Sequence, residues 1–86
     1  MKPEALFQEL EELAGRLGLS IVVDRGNFKG GSCILEGEKL IVLNKSAPQE
    51  QRLSLLAQAL ASRNLQDLFI KPAVRAYLEN YHDFKA

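Results

Sequence analysis

One cysteine, one histidine and no tryptophan occur among the 86 residues, and each scarcity removes a class of function. A lone Cys33 cannot close an internal disulfide, which excludes the small scaffolds that replace a core with cross-links. Zinc is held by three or four imidazole, thiolate or carboxylate donors, and here only His82 and Cys33 stand beside the acids, so no metal or other cofactor is expected. No apolar run approaches the roughly 18 residues that a bilayer crossing needs. Acids at Glu4, Glu9, Glu11 and Glu12 make the start unlike a secretory leader, and a cytoplasmic location is expected. Charge of one sign is also missing: eleven basic residues balance eleven acidic ones. Without a general field toward phosphate backbones or anionic lipid, neither nucleic acid nor membrane is an expected partner.

What is present is enough for one small folded domain spanning residues 1–86. With 47% apolar and 26% charged residues, the chain is too apolar to stay disordered and too short for two cores. A domain of this size buries roughly 60% of its unfolded surface, so its stability is modest unless a partner adds to it.

Helical spacing runs from Pro3 to about Leu17, where Leu6, Phe7, Leu10, Leu13, Ala14 and Leu17 form one stripe. Pro3 suits a first turn, early acids complement the helix dipole, and Gly18 supplies the left-handed residue that ends the helix. Ser20 to Asp24 is short and β-branched, a strand. A glycine-rich loop, Arg25 to Gly31, leads to a hairpin that pairs Ser32 to Glu36 with Lys39 to Asn44 around a Gly37–Glu38 type II′ turn. In that hairpin Cys33, Leu35, Leu40 and Val42 share one face, and Ile34, Ile41 and Leu43 the other. Both faces are apolar, which implies a cover on each side, from another element or from a second subunit.

Ser46 and Gln49 have capping-box spacing and Pro48 suits a first turn, so a helix is expected from Ala47 to Arg63. Gln49, Leu53, Leu56, Ala57 and Leu60 face the sheet; Gln51, Leu55, Gln58 and Ser62 lie opposite. Pro72 opens a last helix with Val74, Tyr77, Leu78 and Tyr81 along one side. The expected fold class is α+β, in the order α-β-β-β-α-α, with helices packed on a small, mostly antiparallel three-stranded sheet.

The segment Gly30 to Ser62, with LIVLN at Leu40 to Asn44 and LAQALAS at Leu56 to Ser62, resembles the core of the ImmA/IrrE family of zinc metallopeptidases. Those enzymes set a similar strand before a helix reading L-A-H-E-L-x-H. The resemblance implies a zincin-like core, but the HExxH motif is lost: Gln58 and Ser62 stand where histidine ligands would be, and Ala59 where the glutamate base would be. Glutamine and serine hold zinc too weakly to substitute, and alanine cannot accept a proton. The chain also resembles small bacterial proteins that combine a G-G-x-C stretch, an L-A-x-A-L helix and a P-A-V-R stretch, here Gly30 to Cys33, Leu56 to Leu60 and Pro72 to Arg75. That likeness implies a fold and no activity.

Three functional readings follow. The first is a non-catalytic interaction or structural module, pairing with itself as a homodimer through the sheet or with another protein, with Gln51, Leu55, Gln58 and Ser62 as a second, groove-like contact. The second is a small-molecule or anion-binding domain using Arg25, Lys29, Gly30 and Gly31, with Lys45 nearby; the missing Walker lysine and the strand that follows the loop weaken it. The third is a degenerate or cysteine-dependent hydrolase. Cys33, among Leu35, Leu40 and Val42, reads instead as a small buried core residue. His82 beside Asp83 lies near the chain end, where nothing holds a catalytic pair in register.

Overall fold

Each helix is built from a stripe that finds a partner. In the computed structural model, which describes residues 1–28 and 30–81, α1 spans Pro3–Arg16 and buries Leu6, Leu10, Leu13 and Ala14. Gly18 ends it with φ +77°, and the amide of Leu19 turns back to the Ala14 carbonyl at 2.9 Å. α2 spans Gln49–Ala61 and buries Leu53, Leu56, Ala57, Leu60 and Ala61; α3 spans Pro72–Glu79 and buries Val74 and Leu78. Pro3 and Pro72 open their helices in the first turn, where no backbone donor is required.

The strands are β1 (Ser20–Asp24), β2 (Gly31–Leu35) and β3 (Glu38–Asn44), in the spatial order β1-β3-β2. The α+β class and element order agree with the sequence. The sheet, however, is mixed: β3 is antiparallel to β2 but parallel to β1, with Ile21 opposite Ile41 and Val23 opposite Leu43. The continuous apolar run Leu40–Leu43 explains why β3 takes the centre, since a strand apolar on both sides gains most from neighbours on both edges. The chain leaves β1, passes the end of β3 where Asn44 holds the carbonyls of Gly26 and Phe28, and returns β3 into the gap by way of the hairpin.

That hairpin closes one residue earlier than the expected Gly37–Glu38 turn. Glu36 and Gly37 form the loop, with φ +51° and +84°, between the paired Leu35 and Glu38. Two successive positive φ values define a type I′ turn, whose twist matches that of the strands. The pairing shifts by two residues, not one, so the facial pattern survives: Cys33 lies opposite Leu40 and Ile34 opposite Lys39. The capping box is also absent. Pro48 occupies the cap of α2 without a side-chain bond, and the Ser46 amide donates to Asn44 Oδ1 at 2.9 Å.

One hydrophobic cluster joins α1, α2 and α3 to Ile41 and Leu43, which are fully buried. Leu10, Leu56 and Leu60 are equally buried, and each such side chain contributes about 1.5–3 kcal/mol. Among the elements, α3 touches only α1 and α2, while α1 reaches β1 and α2 reaches β2 and β3. All three helices therefore occupy one side of the sheet. No helix among the described residues is long and apolar enough to cross a membrane.

Candidate functional site

With the helices on one side, alternation along the strands assigns the other side to Val22 of β1, Cys33 and Leu35 of β2, and Leu40 and Val42 of β3. None of these five belongs to the core cluster. Val22 is 40% exposed and Leu35 61%, Val42 is half-buried, and only Leu40, central between Ser20 and Cys33, is nearly covered. Cys33 is exposed. The expectation of a buried structural thiol is thus overturned, for a definite reason: its apolar neighbours share a sheet face on which no helix packs. The facial grouping was right; the cover came to the opposite side.

One end of this outer face is closed by Asn44, which the sequence marks only as the end of a strand. Its side chain is on the same side of β3 as Val42 and is only 8% exposed. Its amide nitrogen donates to the carbonyls of Gly26 at 2.8 Å and Phe28 at 2.7 Å, while its oxygen accepts from Ser46. Asparagine alone among small residues offers two donors and an acceptor in one plane, so it pins the crossing loop to the start of the link into α2. The signal available in the sequence was an amide at a strand end followed by a loop that needs its carbonyls satisfied.

The glycine-rich loop has structural reasons for its composition. A Cβ on Gly30 would lie 2.6 Å from the Val42 carbonyl oxygen, and Gly30 has φ +87°, so no other residue fits there without displacing β3. The Arg25 amide donates to Asp24 Oδ1 at 2.8 Å, and the Lys45 amide to the Asp24 carbonyl at 2.8 Å. Gly31 is half-buried at the start of β2. Lys29, the fourth member of the anion-binding candidate, lies outside the described residues, as do His82 and Asp83.

On α2, Gln51, Leu55 and Gln58 come together with Ser54 and Gly30 around a shallow depression of about 360 Å³. Ser62 does not line it; its hydroxyl turns back to the Ala59 carbonyl at 2.8 Å and closes the end of the helix. Ala59 is half-buried. Among the described residues no three His, Cys, Asp or Glu side chains converge as a metal site would require.

Charged groups gather where α1 meets the start of α3. Lys71 Nζ contacts Glu9 Oε2 at 2.7 Å, and Arg16 donates to the Phe69 carbonyl, which ties the connector to α1. The Glu9 hydrogen bond raises the Lys71 pKa above its ordinary 10.5, aided by the Glu9 charge. Lys71 and Glu9 offset one another here, and Phe69, 76% exposed beside them, is left over. No family model, curated protein or solved structure matches the chain.

Proposed function

We propose that this chain is a non-catalytic protein-interaction module that pairs with a second copy of itself through the open side of its sheet. The observation that carries the reading is the outer face, whose middle is formed by Val22, Cys33, Leu35, Leu40 and Val42, with Ser20, Asp24 and Glu38 toward its ends, and which is left without a helix. A sheet covered on one side ordinarily places polar residues toward water; here only the end positions Ser20, Asp24 and Glu38 do so, and the middle ones hold valine, leucine and cysteine. A second copy suits it because two twisted sheets stack at about 10 Å with interdigitating side chains, and a two-fold axis lets one patch complete itself. The balanced charge of the chain sets no long-range repulsion against such a pair.

The resemblance to zinc peptidases fits this reading as an architecture retained without its ligands, since Gln58, Ala59 and Ser62 supply neither metal binding nor proton transfer. Light scattering across a concentration series tests the proposal. A mass that rises from one chain to two between about 1 and 200 µM supports it; a constant single-chain mass over that range overturns it. The lone thiol provides a second readout, because Cys33 alkylation is expected to slow as the pair forms.

A further inference from the structure

The outer edge of β2 presents a different surface, and it has both backbone and charge to offer. Leu35 and Glu38 flank the two-residue turn, so they exchange backbone hydrogen bonds, as do Cys33 with Leu40 and Gly31 with Val42. Alternation then points the N–H and C=O groups of Ser32 and Ile34 away from the sheet. β2 pairs with β3 alone, and its sequence, Gly31 to Leu35, carries none of the lysines, prolines or charges that usually blunt a free edge.

Beside this edge lies a depression of about 410 Å³ lined by Ser32, Cys33, Ile34, Lys39 and Arg63. Both charged members are cations. Lys39 is directly opposite Ile34 in the ladder, on the helix side of the sheet, and Arg63 follows α2 beneath the same edge. Arg63 is only half-buried as a residue, yet its Nε is shut from solvent with no hydrogen-bond partner among the described residues. Its terminal nitrogens carry the N–H groups that a carboxylate pairs with in a fork-like, bidentate geometry. Ile34, 72% exposed, leaves apolar surface alongside.

We infer that the β2 edge accepts an extended acidic segment of another protein as a fourth strand. Residues of that segment opposite Ser32 and Ile34 project to the helix side, where acidic side chains meet Lys39 and Arg63. The alternate residues project to the outer side beside Cys33 and Leu35, where apolar ones fit. The partner is therefore a stretch that alternates acidic with apolar residues, bound by backbone pairing for affinity and by carboxylates for specificity.

The probe is a labelled peptide of about eight residues alternating glutamate with valine, compared with its lysine–valine counterpart and with a version N-methylated at every second residue. In amide-resolved NMR on the full chain, the glutamate peptide is expected to shift the Ser32 and Ile34 resonances first. Binding should saturate near 100 µM, on the order expected for a short strand-addition ligand, and weaken as salt rises from about 0.05 to about 0.5 M. Lys39→Gln with Arg63→Gln should lower affinity at least about fivefold while leaving the circular dichroism spectrum intact. Equal binding of the lysine peptide, equal binding of the N-methylated peptide, shifts confined to β1, or no saturable binding up to millimolar peptide would each overturn the inference. The result stands apart from self-association: a strict monomer that binds the glutamate peptide supports this edge site and defeats the paired sheet, and a dimer that ignores it does the reverse.

Discussion

Among the described residues, Asn44 is the one polar residue that is buried. Its amide satisfies two loop carbonyls and one backbone amide from a site 8% exposed, so removal deprives three part-buried backbone groups of their partner. Asn44→Ala is expected to destabilise the fold by about 2 kcal/mol. Asn44→Asp should be worse, because a carboxylate would face the Gly26 and Phe28 carbonyls with no proton to donate. Urea unfolding of the three proteins, compared at constant slope, checks the order. The reverse expectation applies at Glu36, the one non-glycine residue with positive φ among those described. A type I′ turn favours asparagine before glycine, so Glu36→Asn should stabilise the hairpin by about 0.5–1 kcal/mol, read as a higher urea midpoint.

At the scale of elements, α3 is the least independent. Eight residues are too few to hold a helix in water, so Val74 and Leu78 must anchor it on α1 and α2. Tyr77 packs against the same cluster, and its ring lies 5.2 Å from that of Tyr81, with the two hydroxyls 3.3 Å apart. Burial, followed by the hydrogen bond with Tyr81, raises the Tyr77 pKa well above its ordinary 10.0. A raised pKa means that the folded state prefers the protonated phenol. Its contribution is therefore complete below pH 10.0 and is lost as pH climbs past that value. Lys71 acts in the same direction above 10.5, weakly because its ammonium is exposed and solvent screens the pair. Thermal melts between about pH 9 and 11.5 should show a falling midpoint, and Tyr77→Phe should flatten that fall.

At the scale of the whole molecule, the size of the open face limits what it can do. Strands of five to seven residues, about 4.8 Å apart, give a face of roughly 14 by 20 Å, or about 300 Å² per partner. A pair would bury about 600 Å², less than the roughly 1,200 Å² of a stable complex, and so should be a weak pair that dissociates in the micromolar range or above. Val22→Lys with Leu35→Lys places two charges at the rim of that face, away from the core cluster. The double variant should remain single-chain at concentrations where the parent pairs, with an unchanged melting midpoint measured on the dilute monomer. A variant that still pairs would exclude the outer face as the interface.

Local patterning determined the helices, the three strands and the facial grouping of the hairpin, because 3.6- and 2-residue periodicities are written in neighbouring side chains. Val74, Tyr77, Leu78 and the buried stripe of α2 were all legible in this way. The spacing of Gln51, Leu55 and Gln58 likewise gave their common face, although not that Ser54 and Gly30 would complete it while Ser62 turned away. Strand order, the parallel β1–β3 pairing and the exposure of Cys33 were settled only in three dimensions. They depend on which side of the sheet the helices choose and on how β1 and β2 come to flank β3, and both are set by the joint burial of residues far apart in sequence. A strand with two apolar faces announces that it needs two covers, but its own residues do not say which side this chain supplies.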